Sequence, residues 1–163
     1  MIILGLDPGS LHTGYGLVER QGSALRALAL GRFSSPARLP LPDRLARLAG
    51  ALEELLARWH PETVVLETPF HGLNSRSLIV LSEARGALLA TLAGRGIAIR
   101  EYSPAEVKSA VTGNGRADKR QVARMVKILL ALEGDGWAAD VTDALALAIC
   151  AAQRARMDRL TGR

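Results

Sequence analysis

Four acidic residues stand where a carboxylate is costly unless something compensates it. Asp7 closes the apolar run Met1-Ile2-Ile3-Leu4-Gly5-Leu6, and Glu67 closes Thr63-Val64-Val65-Leu66. At the end of a buried strand such a group must be neutralised, hydrogen-bonded or bound to a cation. Asp140 and Asp143 lie three positions apart in a helical stretch, so they share one helix face and can aim at a common point. If the acids converge, they form a hard, all-oxygen ligand set drawn from three distant segments. That chemistry suits Mg²⁺ or Mn²⁺, and two such ions about 4 Å apart can activate water and stabilise a leaving oxygen in phosphodiester cleavage.

Each acid also has a structural explanation. Asp7-Pro8-Gly9-Ser10 is a turn sequence, Glu67 before Thr68-Pro69 can mark a strand leaving the core, and Asp140 with Asp143 resembles an N-cap and N3 pair. Competing chemistries are thinly supplied. His12, His60 and His71 show no ligand spacing, with His12 and His71 better suited as phosphate neighbours, and the single cysteine, Cys150, excludes an internal disulfide or a thiolate cluster. Cys150 lies among Ala and Ile and reads as a small buried hydrophobe.

The cations point to a polyanionic partner. The formal charge is +5; Lys108, Arg116, Lys119, Arg120, Arg124 and Lys127 share one short stretch, and Arg154, Arg156, Arg159 and Arg163 crowd the C-terminus. Lys and Arg clustered in this way neutralise phosphates and release counterions. Gly113-Asn114-Gly115-Arg116 reads either as a phosphate-cradling loop or as a helix stop, and its place between Lys108 and Lys119 favours DNA.

Elements must hold these residues in place. With 163 residues, 48% of them apolar, the chain is long enough for one sizeable core, here assigned to residues 1–158 with a basic tail at 159–163. Short apolar runs bounded by turn residues predict strands at Ile2 to Leu6, Gly14 to Glu19 and Leu25 to Phe33, joined tightly enough to be antiparallel. Leu41, Leu45, Leu48, Leu52, Leu55 and Trp59 recur at helical spacing and make Trp59 a core residue. Thr63 to Glu67 reads as a buried parallel strand, Ser75 to Ala93 as a helix and Ile97 to Tyr102 as a fifth strand. Ser103-Pro104-Ala105-Glu106 and Asp118 with Gln121 start further helices, and Asp140 starts the last. Trp137, in the loop before Asp140, is placed to pack beneath that helix. The expected architecture is a mixed α/β sheet flanked by helices. The first apolar run is shorter than a signal-peptide core, and no later stretch reads as membrane-spanning, which predicts a soluble cytoplasmic protein with no membrane partner.

The set Ile3-Leu4-Gly5-Leu6-Asp7-Pro8-Gly9-Ser10, Thr13-Gly14-Tyr15-Gly16, Leu66-Glu67 and Asp140-Val141-Thr142-Asp143-Ala144-Leu145-Ala146 resembles the RuvC family of Holliday junction resolvases, from Met1 to about Gln153. The resemblance implies a ribonuclease H-like fold with a five-stranded mixed sheet, and a homodimer that nicks opposed strands of a four-way DNA junction symmetrically. It implies hydrolysis with two Mg²⁺ ions, for which Mn²⁺ substitutes, leaving 5′-phosphate and 3′-hydroxyl ends in recombination and repair. By position it makes Asp7, Glu67, Asp140 and Asp143 the catalytic acids and metal ligands; some members carry a histidine where this chain has Asp140. It makes Lys108 and Lys119 DNA contacts, joined by Arg116 and Arg120 of the basic stretch. Phe70 matches an aromatic at the active-site rim that stacks on an unpaired base, and its polar neighbours His71, Gly72, Asn74, Ser75 and Arg76 favour exposure over a place in the core. The branch-migration proteins RuvA and RuvB are partners implied by the same resemblance. For the dimer contact the second helix is nominated, through Leu78, Leu81, Ala84, Arg85, Leu88 and Leu89.

Three other readings use the same residues. Asp7-x-Gly9 with Gly14 and Gly16 resembles the first phosphate loop of actin-type and sugar-kinase phosphotransferases, which need a second domain and a second glycine-rich motif that this chain lacks. A non-catalytic DNA-binding module would make the acids architectural. A nuclease of the same fold acting on RNA or damaged DNA would keep them catalytic.

Overall fold

The computed structural model describes residues 1–68, 75–134 and 136–161. Its strands are β1 (Ile2–Asp7), β2 (His12–Gln21), β3 (Ala24–Ser34), β4 (Thr63–Glu67) and β5 (Ala98–Tyr102), and its helices are α1 (Leu41–Trp59), α2 (Ser75–Gly94), α3 (Pro104–Thr112), α4 (Lys119–Leu129) and α5 (Ala139–Thr161). The strands form one sheet in the order β3-β2-β1-β4-β5. β1, β2 and β3 are antiparallel neighbours, while β4 and β5 run parallel to β1. This is the expected mixed sheet. α5 continues to Thr161, through residues 159–161 of the anticipated tail.

Alternation along the strands divides the core into two layers. Ile3, Val18 and Val65 face α3, α4 and α5, where they meet Val107, Val122, Val126, Leu145 and Ile149. Leu4, Leu6, Leu17, Val64 and Leu66 face α1 and α2 and meet Leu48, Leu52, Leu56, Leu88 and Leu92. Trp59 is half-buried against this second layer. Cys150 is fully buried in the first, and burial pushes its thiol up to about 11.

Local signals in the sequence are realised at the basic helices. Ser103 and Glu106 close a capping box on α3, and Asp118 and Gln121 close another on α4. Gly113 ends α3 in the left-handed conformation, its N–H donating to the Ser109 carbonyl, so the glycine pair around Asn114 does stop a helix.

Three expectations need correction. Ala84 and Leu88, nominated for a dimer contact, are fully buried inside the chain's own core, and Arg85 is turned to the sheet. The reason is that α2 is apolar on both faces, so its spacing does not say which face meets the sheet. Trp137 is 45% exposed and does not lie beneath α5. The space under α5 is already filled, because that helix lies directly on glycines of the sheet. Finally, Ser77–Gly94 is long and apolar enough to cross a membrane, although no stretch was expected to be. Ala84, Leu88 and Leu92 on its inner face are at 0% exposure against the sheet, while the rest of the stretch is partly or fully exposed.

Candidate active site

Period-two alternation carries Asp7 and Glu67 to the same place. Leu6 is paired with Leu66 in the parallel β1–β4 ladder, so the next residues, Asp7 and Glu67, end adjacent strands at one edge. Ile3 and Val65 set the face; Asp7 and Glu67 lie an even number of residues further on and rise on the α5 side. The turn beyond Asp7 is braced by Thr13, whose hydroxyl donates to the Gly9 carbonyl at 2.7 Å and accepts from the Gly9 N–H at 3.2 Å. The turn beyond Glu67 is held by the Thr68 N–H donating to the Tyr102 carbonyl at 2.9 Å.

Glycines bring the second pair of acids down to the first. A Cβ on Gly5 would run into the Ala144 carbonyl oxygen, one on Gly14 into the Asp140 carbonyl oxygen, and one on Gly16 into the Leu145 side chain. The first two turns of α5 therefore rest on bare sheet backbone, which brings Asp140 and Asp143 over the end of β1.

Electrostatics records the result. Burial and the neighbouring carboxylates of Asp143, Glu67 and Asp140 push Asp7 up to about 7, against a smaller opposing pull from Lys119. Glu67 is raised by burial and by Asp143, while Lys119 and Lys108 hold it down. Acids from β4 and α5 thus bear on Asp7 at the end of β1, and Asp143 bears on Glu67.

Cations flank them. Lys119 Nζ lies 3.4 Å from Asp143 Oδ2, and Arg32 Nη1 lies 3.5 Å from Asp140 Oδ2. A cleft of about 220 Å³ is lined by Glu67, Asp143, Lys108 and Lys119 over an apolar floor that includes Val107, Val122 and Leu147. A larger cavity of about 480 Å³ beside α1 has Glu54 as its one acidic lining residue and lies outside this group. Arg116 and Arg120 are exposed and do not line the cleft. His12 is exposed at the start of β2 and shares a 3.1 Å hydrogen bond with Ser34 Oγ. Phe70, expected at the rim, lies outside the described residues.

One residue whose role sequence reasoning missed is Arg85. Its side chain is 11% exposed, its Nη1 donates to the Glu67 carbonyl oxygen at 2.8 Å, and its other terminal nitrogen pairs with Glu101. It ties α2 and β5 to the end of β4 and fixes the backbone that carries Glu67. The available signal was an arginine set between Ala84 and the apolar run Gly86 to Ala90, at a position that turns with Leu81, Leu88 and Leu92 and so calls for a partner inside the fold.

The donor set fits a hard divalent cation: every ligand offered is a carboxylate oxygen, and the burial and carboxylate repulsion that raise Asp7 are the deficit such a cation relieves. Among the described residues, no three of the acids are gathered into a finished cage. The group is open on the cleft side.

A family model described as crossover junction endodeoxyribonuclease RuvC matches residues 3–151. The chain belongs to the RuvC family. The crossover junction endodeoxyribonuclease RuvC of Chlorobaculum parvum is 47% identical over 150 residues, 92% of this chain and 80% of that one. The RuvC of Moorella thermoacetica is 43% identical over 167 residues, covering all of both chains. The RuvC of Thermus thermophilus in complex with a Holliday junction substrate shares the fold with a TM-score of 0.91, at 33% identity over 96% of each chain. With the sheet order β3-β2-β1-β4-β5, membership of the RuvC family makes the fold ribonuclease H-like, as the resemblance implied.

Proposed function

We propose that the chain is a structure-specific endonuclease that resolves four-way DNA junctions, with Asp7, Glu67, Asp140 and Asp143 holding Mg²⁺ at the scissile phosphate. The observation that carries this reading is the convergence of four carboxylates from three segments beside a lysine-lined cleft, in a chain of the RuvC family. The Thermus thermophilus relative is in complex with a Holliday junction substrate, which supports the same substrate here. When bound, the cation supplies activation of water and stabilisation of charge on the leaving oxygen.

The chain's own residues do the rest. Lys108 and Lys119 draw the phosphate into the cleft against Glu67 and Asp143, and Arg116 and Arg120 extend the cationic surface along the DNA. Phe70 stacks on an unpaired base at the crossover. Arg85 and the glycines under α5 keep the acids from swinging apart while the phosphate is in place.

One chain contributes one acid group, so paired nicks in opposed strands require two copies. The outward face of α2 carries Ile79, Ser82, Glu83, Gly86, Ala90 and Ala93, small or apolar apart from Ser82 and Glu83, with Ile79 59% exposed, and we assign it to the homodimer. Residues 1–158 serve as the nuclease domain, acting in the bacterial cytoplasm with RuvA and RuvB as partners.

Side-by-side digestion of a four-way junction, a linear duplex and a structured RNA in Mg²⁺ tests the reading. Symmetrical nicks in the junction, with the other two substrates spared, are expected. Equal cutting of RNA would place the chain with nucleases of other specificity, and ATP hydrolysis without junction cleavage would favour the phosphotransferase reading.

A further inference from the structure

We propose that Arg32 is a further substrate-binding residue, gripping a backbone phosphate on the side of the acid group opposite Lys108 and Lys119. The proposal deepens, and rests on, the junction-cleaving reading above.

In the ladders, Arg32 pairs with Gly14, and Gly14 pairs with Asp7. The three residues therefore form one row across β3, β2 and β1, and directly paired residues point to the same face of a sheet. Arg32 and Asp7 both rise on the α5 side, with a glycine between them that puts no side chain in the way. β3 is an edge strand, so the guanidinium reaches the acids from the open flank of the molecule. There it meets Asp140 at 3.5 Å while its side chain remains 40% exposed.

A pair this open contributes little net stability, so the arginine is readily given up to a competing anion. Phosphate is such an anion: the planar fork of Arg matches two phosphate oxygens as well as it matches a carboxylate. The lysines approach from α3 and α4 on the other side, Lys119 reaching Asp143. A strand laid across the acids thus meets a cation on each side.

The test uses the full chain and a fluorescent four-way DNA junction in EDTA, so that binding is read without cleavage. Titrations between about 50 and 200 mM salt are expected to show Arg32→Gln weakening binding about 5- to 10-fold and lowering the slope of log Kd against log salt by about one. Arg32→Lys should keep the slope. The same comparison in an Asp140→Asn background separates contact with DNA from mere shielding of Asp140: the loss should persist there. Unchanged affinity and slope in Arg32→Gln, or a loss that vanishes in the Asp140→Asn background, overturns the proposal and leaves the junction-cleaving reading standing. Failure of the unsubstituted protein to bind the junction would remove both.

Discussion

Asp7 is the residue on which charge is concentrated, and its environment makes two separable predictions. Its folded value of about 7 lies above the unfolded value near 3.8, so the metal-free fold binds more protons than the unfolded chain between those limits. The metal-free protein should then lose stability as pH rises from about 4 to about 7, by on the order of 2–4 kcal/mol, and recover it when Mg²⁺ is added. Asp7→Asn should abolish that slope and melt above the unsubstituted protein at pH 8 in EDTA, which thermal unfolding at several pH values will show; coincident melting curves at pH 8 would contradict the electrostatic account. The same substitution should lower junction cleavage by at least about 100-fold with junction binding retained. Arg85 acts at one remove. Arg85→Lys keeps a charge for Glu101 but loses the planar fork that also reaches the Glu67 carbonyl, and cleavage should fall about 10- to 100-fold, with a weaker apparent Mg²⁺ affinity in cleavage titrations. Asp7 and Glu67 were legible in the sequence because acids at the ends of apolar strands stand out. Arg85 was misread as an interface residue, since its partners, the Glu67 carbonyl and the Glu101 side chain on β5, are long-range contacts that local spacing does not reveal.

The elements explain why the acids meet at all. Gly14→Ala would drive a Cβ into the Asp140 carbonyl, and α5 must lift from the sheet to relieve it. Overpacking of this kind costs about 1–3 kcal/mol. Cleavage should fall more than junction binding, because Lys108 and Lys119 are carried by α3 and α4 rather than α5. Gly50→Ala is the control: nothing lies near its Cβ on α1, and it should raise stability by about 0.4–1 kcal/mol with cleavage unchanged. Denaturant unfolding alongside cleavage rates checks both. Much of this layer could be read beforehand: the strands from short apolar runs, and both capping boxes from Ser103 with Glu106 and Asp118 with Gln121. Gly14 and Gly16 were noticed as part of a motif, but their use as a seat for α5 depends on which helix crosses above, a long-range fact that local spacing does not contain. The orientation of α2 was hidden for a related reason. A helix with apolar residues on both faces has no contrast for a 3.6-residue pattern to report.

At the scale of the whole molecule, the doubled apolarity of α2 becomes a prediction about assembly. Its inner face is spent on the core through Ala84, Leu88 and Leu92, so the exposed Ile79, Gly86, Ala90 and Ala93 of the outer face, which Ser82 and Glu83 share, remain to be covered. Gly86, Ala90 and Ala93 are small enough to let a second helix approach closely, and a two-fold contact through this face would give the assembly two acid groups. Ile79→Glu places a charge in that contact and, being 59% exposed in the single chain, should leave the fold intact. A plasmid with an extruded cruciform distinguishes coupled from independent cutting: two nicks within the lifetime of one complex give linear product, and separate nicks give open circles. The unsubstituted protein should yield mainly linear product and sediment as a dimer. Ile79→Glu should sediment as a monomer and shift the product to open circles while still cutting single strands. A variant that stays dimeric, or a monomer that still linearises the plasmid, would move the interface away from α2 without touching the chemistry of the four acids.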